Sequence, residues 1–375
     1  MNNSYQVYNY PAKLDNELNN VKRLSNKKNR DIILNLHREL IAQGVGLARQ
    51  IKYLVTLRSI SKGLEKDFNE VTKEDVVDFV ARIENSEYSE WTKRDFRLIL
   101  KRFFKWFHKC EEGYPNQVKW IKVKQNIKSN IRKKDLLSLK DIQLMARHTK
   151  HPRDRALIWV YYESVRRFGE ILNLNIGDIE FDEMGVRLNV DGKVGKAPAR
   201  IVISTPLLAS WLEYHPEPNN PKAPLWTVLN KKKVTRLGYY SARKIIKDSA
   251  KEAGIERRIW PYLIRHSRID PLKNQLPYPL LLKTAGWSED SDMPKFYFHM
   301  EEADVDEAHS ILTGKKPVHD SPDNKLVPIP CPKCKTENVP GSRFCYQCGY
   351  KLDSIDESEL TASCTTNTFV SQIIE

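Results

Sequence analysis

Four of the six cysteines fall in one 18-residue window, CPKCKTENVPGSRFCYQC, at residues 331–348. Cys331 and Cys334 form one Cys-x-x-Cys pair, Cys345 and Cys348 a second, with ten residues between them. Soft thiolates at this spacing suit a tetrahedral metal site, and four of them leave no open coordination position. The expected cofactor is therefore one structural Zn2+. Disulfides are the competing reading, and the tight pairing together with the expected cytoplasmic location disfavours them. Cys110 and Cys364 stand alone and need no chemical role.

A second set of residues is scattered over 130 positions. YESVRRFGEILNL at 162–174 holds an Arg-x-x-Glu spacing that selects Arg167 and Glu170, with Arg166 as a competitor for the arginine. VDGKVGKAPARI at 190–201 places Lys193 in a Gly-Lys-x-Gly turn, with Lys196 as the fallback. WPYLIRHSRID at 260–270 holds Arg265, His266 and Arg268. AGWSEDSDMPKFYFHM at 285–300 holds Gly286-Trp287 and, about ten residues on, Tyr297-x-His299. In this order the segments resemble the boxes of the tyrosine recombinase, or phage integrase, family. The resemblance covers roughly 135–312 and departs from the family at two positions. Val165 stands where the family has glycine, and Tyr262 stands where it has the first histidine of His-x-x-Arg-His.

The resemblance implies strand cleavage by a tyrosine, with no catalytic metal and no ATP. The expected catalytic set is Arg167, Lys193, Tyr262, Arg265, Trp287 and Tyr297, with Glu170 and His266 orienting them. The residue types fit such chemistry. A planar guanidinium binds phosphate bidentately and stays protonated. A phenol with pKa about 10 needs nearby cations to act as a nucleophile at neutral pH. A lysine can protonate the departing 5′-oxygen, and an indole N–H can donate to phosphate. A 3′-phosphotyrosyl bond would conserve the energy of the cleaved linkage. Tyr240 and Tyr262 are weaker candidates for the nucleophile.

Elements must hold these residues in place. The expected fold class is mainly α (α+β). An N-terminal helical DNA-clamping domain precedes a catalytic domain of mixed α and small antiparallel β structure, followed by a zinc ribbon. The expected bounds are a flexible 1–10, a helical domain 11–112, a basic linker 113–137, a catalytic domain 138–314, a linker 315–329, the ribbon 330–352 and a disordered acidic tail 353–375. Thr92 and Asp95 read as a capping box, as do Ser138 and Asp141. After Thr92, apolar Phe96, Ile99, Leu100, Phe103 and Phe107 recur at helical spacing, with Arg94, Arg97, Lys101 and Lys105 opposite them. Helices are expected near 152–163, 206–214, 238–253 and 279–285, and again over 295–312. The alternation of 184–203 reads as two strands and a turn.

Charge points to the partner. Lys and Arg outnumber Asp and Glu 62 to 48, a net +14. Residues 91–135 hold 14 of the cations against 4 acids, and residues 352–375 hold five acids and no cation. The cationic stripe and the run Arg132-Lys133-Lys134 suit phosphate tracking. Expected partners are double-stranded DNA carrying a specific site and further copies of the chain, a dimer on one site and a tetramer in synapsis. No stretch reaches 18 apolar residues, so no membrane partner is expected, and the expected location is cytoplasmic. The combination with a ribbon looks like archaeal integrase-type members or Xer-like ones. Two rival functions are a recombinase-derived regulator that holds DNA without cutting it, and a type IB topoisomerase-like nicking-closing enzyme.

Overall fold

The computed structural model describes residues 7–123, 133–192, 195–229, 233–291, 293–296, 327–340, 342 and 344–352, with isolated positions between 306 and 315. The chain divides into two compact units, residues 8–129 and residues 130–375 together with the first seven.

The first unit is helical. It comprises α1 (Tyr10–Lys22), α2 (Lys27–Ala42), α3 (Leu47–Leu64), α4 (Lys73–Glu84), α5 (Glu90–Phe107) and the short α6 (Asn116–Lys119). Its core gathers Leu54, Leu57, Phe68, Phe103 and Phe104, with Phe68 and Phe103 ring centroids 4.6 Å apart. The Asn29 side chain is fully buried and fully used. It donates to Ser61 Oγ and the Lys66 carbonyl and accepts from the Phe68 N–H, which pins the turn after α3.

Three expectations change here. Helix α5 begins before Thr92: Ser89 is its N-cap and accepts from the Thr92 N–H. The earlier start gains a Glu90–Lys93 pair at 3.5 Å and a Tyr88–Phe96 stack. Residues 116–121 are no free tether, because Val118 and Ile121 are buried in the helical core. On the cationic stripe of α5, Arg97 is buried while Arg94, Lys101 and Lys105 stay partly exposed. Arg97 is only 7% exposed and is paired at 2.5 Å with Glu84. Lys101 donates to the Ile121 carbonyl at 2.9 Å and lies 4.2 Å above the Tyr114 ring, with Lys105 5.7 Å from the same ring. Arg94 lies against Trp91 at 5.8 Å. The segment around Tyr114 and α6 folds back over this side, and α4 covers its start. The stripe's cations are thus held by the protein, and Arg97 is withdrawn from the surface.

The second unit is built around α8 (Pro152–Ser164), which follows α7 (Leu139–Arg147). The capping box of Ser138 and Asp141 at the start of α7 forms with both of its bonds. Residues Ala156–Tyr162 of α8 are all buried, so this helix has no solvent face over two turns. Helix α9 (Phe168–Asn173) leads to β1 (Ile179–Asp182), β2 (Gly185–Gly192) and β3 (Gly195–Ile201), an antiparallel sheet in that order. The expected hairpin is β2 and β3. Strand β1 went unread because it is four residues long, with no buried position to betray an alternation. Then come α10 (Thr205–Glu213), α11 (Tyr239–Glu252), α12 (Pro261–Gln275) and α13 (Tyr278–Ala285). In the C-terminal segment, β4 (Ile329–Pro330) pairs with β5 (Glu337–Asn338).

Candidate active site

Helix α8 ends at Val165, whose backbone is left-handed at φ 56°. A β-branched residue pays roughly 1–2 kcal/mol in that conformation, which explains a glycine as the usual occupant. Val165 offsets the strain by burial. It is fully enclosed with Ile269, Leu281, Leu282, Ala285 and Trp287, contacts that contribute about 1.5–3 kcal/mol. The sharp turn sends the next two side chains in different directions.

Arg166 goes inward and is 1% exposed. Its Nη2 donates to the Pro198 carbonyl of β3 at 2.7 Å and to the Lys283 carbonyl of α13 at 3.3 Å. Arg167 goes outward, with its side chain 36% exposed. Its Nη1 donates to Glu170 Oε1 at 2.8 Å and to the Gly286 carbonyl at 3.4 Å, while its N–H donates to Glu170 Oε2 at 2.9 Å. Depth therefore separates the two arginines that spacing alone left in competition. Of this adjacent pair, Arg167 is the one whose side chain is open to solvent.

Arg265, from the first turns of α12, reaches the same place. It is 1% exposed, its Nη2 donates to the Ala285 carbonyl at 2.8 Å, and its guanidinium lies 5.7 Å from the Trp287 ring centre. Three guanidiniums thus converge on the carbonyl end of one eight-residue helix, through Lys283, Ala285 and Gly286. That end carries partial negative charge, which offsets part of their mutual repulsion. Glu170 is the carboxylate paired with them among the described residues. Nε and Nη1 of both Arg166 and Arg265 are buried and unpartnered among the described residues. Burial and the neighbouring arginines lower Arg166 to about 10, while Glu170 opposes the shift. An excess of cationic donors with one acid is a site for an anion.

The remaining expected residues fall around this centre. His266 is buried, and burial and Arg265 push it down to about 4, so it is neutral at pH 7. Tyr262, 36% exposed, sets its ring edge-on to His266 with centroids 4.4 Å apart. Arg268 lies over the buried Tyr162 ring at 5.6 Å. Lys193 lies outside the described residues, but its flanks do not. Gly192 and Gly195 pair across the hairpin, and a Cβ on Gly192 would stand 3.3 Å from Glu170 Oε1. The hairpin end is thereby placed beside the partner of Arg167. Tyr297 and His299 also lie outside the described residues, just after the 3-10 turn Met293–Phe296. So does Arg132, while Lys134 is exposed.

Gly286 is the closest joint in the site. It has φ 64°, and a Cβ there would stand 2.2 Å from Arg166 Nη1. Gly286→Ala should therefore lower stability by at least about 1 kcal/mol and displace Arg166. A thermal melt unchanged from the parent protein would contradict this packing.

Residues 130–304 match the model of the phage integrase family. Over these residues, just under half of the chain, the protein is similar to the tyrosine recombinases. It is similar to the tyrosine recombinase XerD of Listeria monocytogenes, 27% identical over 233 residues, which are 58% of this chain and 74% of that protein. The fold is that of recombinases solved with DNA. It matches a XerH site-specific recombinase bound to its difH substrate before cleavage, with TM-score 0.56, 18% identity, 82% of this chain and 97% of that one. It also matches a lambda integrase tetramer bound to a Holliday junction, with TM-score 0.56, 14% identity, 72% of this chain and 78% of that one. The three-arginine centre lies within the matched residues 130–304.

The cysteine window forms a separate cluster. All four Sγ atoms lie within 4.8 Å of one another, with Cys331–Cys348 at 3.6 Å and Cys334–Cys345 at 3.5 Å. Each Cys-x-x-Cys makes the same turn. The Lys335 N–H donates to the Cys331 carbonyl and the Gly349 N–H to the Cys345 carbonyl, at 2.8 and 2.9 Å. The Cys331 and Cys345 N–H groups in turn donate to the Thr336 and Tyr350 carbonyls. Lys335 and Gly349 both have positive φ. The sequence shows glycine at only one of these equivalent positions, so the repeat was not legible before the backbone was.

Proposed function

We propose that the protein is a site-specific DNA recombinase of the integrase type, which cuts and rejoins duplex DNA through a 3′-phosphotyrosyl intermediate. The observation that carries this reading is the gathering of three arginines on the end of α13 with, among the described residues, a single paired carboxylate. Arg167 and Arg265 donate to the non-bridging oxygens of the scissile phosphate, where charge accumulates in the transition state. The Tyr297 oxygen attacks phosphorus and loses its proton, and the bond from phosphorus to the 5′-oxygen breaks. Lys193 delivers a proton to that oxygen. In rejoining, a 5′-hydroxyl attacks the phosphotyrosine, the Tyr297–phosphorus bond breaks, and the phenol is restored. Trp287 supports Arg265 from beneath and offers its indole to the phosphate. Glu170 holds Arg167. His266, neutral and enclosed, braces Tyr262, which occupies the position of a proton-transferring histidine.

Two copies on one site and four in synapsis fit this chemistry, because strands are exchanged in pairs. No described helix is long and apolar enough to cross a membrane. The helical first unit adds a DNA-binding surface of its own, and Lys134 offers a phosphate contact.

The test begins with a randomised duplex library, since the site is unknown. Covalent complexes trapped in detergent are recovered, and the enriched sequence is rebuilt as a duplex nicked next to the cleavage position. The protein should accumulate as a covalent adduct on that duplex. Strong binding to the enriched sequence with no adduct would leave a DNA-holding regulator instead.

The four cysteines fit Zn2+. Thiolates about 2.3 Å from a tetrahedral ion stand roughly 3.8 Å apart, close to the two Sγ distances given above. Cys331, Cys334, Cys345 and Cys348 would hold one structural ion that ties the two knuckles together. Purified protein should release about one equivalent of zinc on thiol modification, and chelation should expose the amides of residues 331–349 while the catalytic unit stays folded. A stoichiometry near zero after purification in zinc-containing medium would remove the ion from the account.

A further inference from the structure

Arg166 is not needed to explain any step above, yet beside the phosphate site it is as deeply enclosed as Arg265. Two of its nitrogens have no partner among the described residues. A buried cation with neither an acid pair nor a full set of acceptors is costly. Its contacts suggest what it does. One guanidinium nitrogen holds two carbonyls from different elements, Pro198 on the hairpin strand β3 and Lys283 at the end of α13. Strand β3 is the free edge of its sheet, and Pro198 has no N–H to offer there, so its carbonyl is the anchor. At its other end the guanidinium lies beneath Gly286, which admits no side chain. The same hairpin touches the site at a second point, Gly192 against Glu170. Three residues separate Pro198 from Gly195 at the hairpin end, about 10 Å of strand.

We infer that Arg166 is a positioning residue that fixes the β2–β3 hairpin to the end of α13 and so places Lys193 against the leaving 5′-oxygen. An apolar side chain could fill the volume but could not join two carbonyls across that gap. A lysine ammonium could replace that one donor nitrogen only if its shorter stem brought it to the same point between the two carbonyls. The inference rests on the recombinase reading and assigns no phosphate contact to Arg166.

A substrate with sulfur in place of the bridging 5′-oxygen tests it. A thiolate leaves without a proton, so loss of the general acid is forgiven while loss of phosphate stabilisation is not. On the ordinary duplex, Arg166→Met and Lys193→Ala should each slow covalent cleavage on the order of 100-fold or more. On the sulfur-bridged duplex both should return to within roughly tenfold of the parent protein, whereas Arg167→Ala should stay slow on both. Arg166→Lys should fall between Arg166→Met and the parent on the ordinary duplex. Hydrogen exchange should show faster uptake at residues 195–201 in Arg166→Met, with α8 still protected. A defect of equal size on both substrates would overturn the inference, as would no defect or an unfolded α8. Absence of an adduct with the parent protein would instead strike the recombinase reading itself.

Discussion

Tyr297→Phe is expected to bind the selected duplex as tightly as the parent protein and to give no covalent adduct, a loss of more than about 1,000-fold. The substitution removes one oxygen from a side chain whose ring is kept, so binding and folding should be spared. The expected loss is nearly total because no other group is proposed to form the phosphodiester intermediate. Removing a nucleophile leaves only what the surrounding donors can do with water. The cations explain why a phenol can serve. Its ordinary pKa is about 10, and the guanidiniums of Arg167 and Arg265 on the end of α13 favour the phenolate when it approaches. Gel-shift titration and detergent-stable adduct yield, measured on the same samples, separate the two effects. An adduct yield close to that of the parent would dismiss Tyr297 and turn attention to Tyr240 or Tyr262.

The second large effect is expected at Arg265. Arg265→Lys should keep the protein folded and able to bind DNA, yet slow cleavage by about 100- to 1,000-fold, the usual loss for one oxyanion-type donor. Charge is retained in this variant, so the loss would report geometry. Arg265 spends Nη2 on the Ala285 carbonyl and keeps Nε and Nη1 unpartnered among the described residues. A guanidinium can hold a carbonyl and still present a second edge to phosphate, whereas an ammonium on a shorter reach must choose. The Arg265 guanidinium carbon also lies 5.7 Å from the Trp287 ring centre, within cation–π range. Single-turnover cleavage at saturating protein is the measurement. A rate within about threefold of the parent would mean that Arg265 contributes only charge.

Much of this site was legible as sequence because it is carried by short local spacings. Arg167 and Glu170 are three residues apart, and that spacing is what lets Glu170 take both the N–H and the guanidinium of Arg167. The hairpin was legible because β2 alternates buried and exposed positions along its length. What sequence could not supply was depth and the second packing partner. Arg166 and Arg167 are adjacent and chemically identical, and only the left-handed turn at Val165 decides that one is enclosed and the other meets solvent. Arg97 lies opposite the apolar face of α5, as the periodicity requires, yet α4 and the α6 segment cover that side as well. The role of α13 was also hidden. Its carbonyl end joins the adjacent Arg166 and Arg167 to Arg265 from α12, and no periodicity marks a helix terminus as a meeting point.

The central claim is that a tyrosine of this chain becomes joined to a 3′-phosphate at an arginine-lined site. Proteolysis of the trapped adduct, followed by mass analysis of the peptide and end-labelling of the attached DNA, tests it most directly. The expected result is a single peptide containing Tyr297, linked to the 3′-phosphate of one strand with a free 5′-hydroxyl opposite. A linkage to a 5′-phosphate, or through a residue other than Tyr297, would contradict the account.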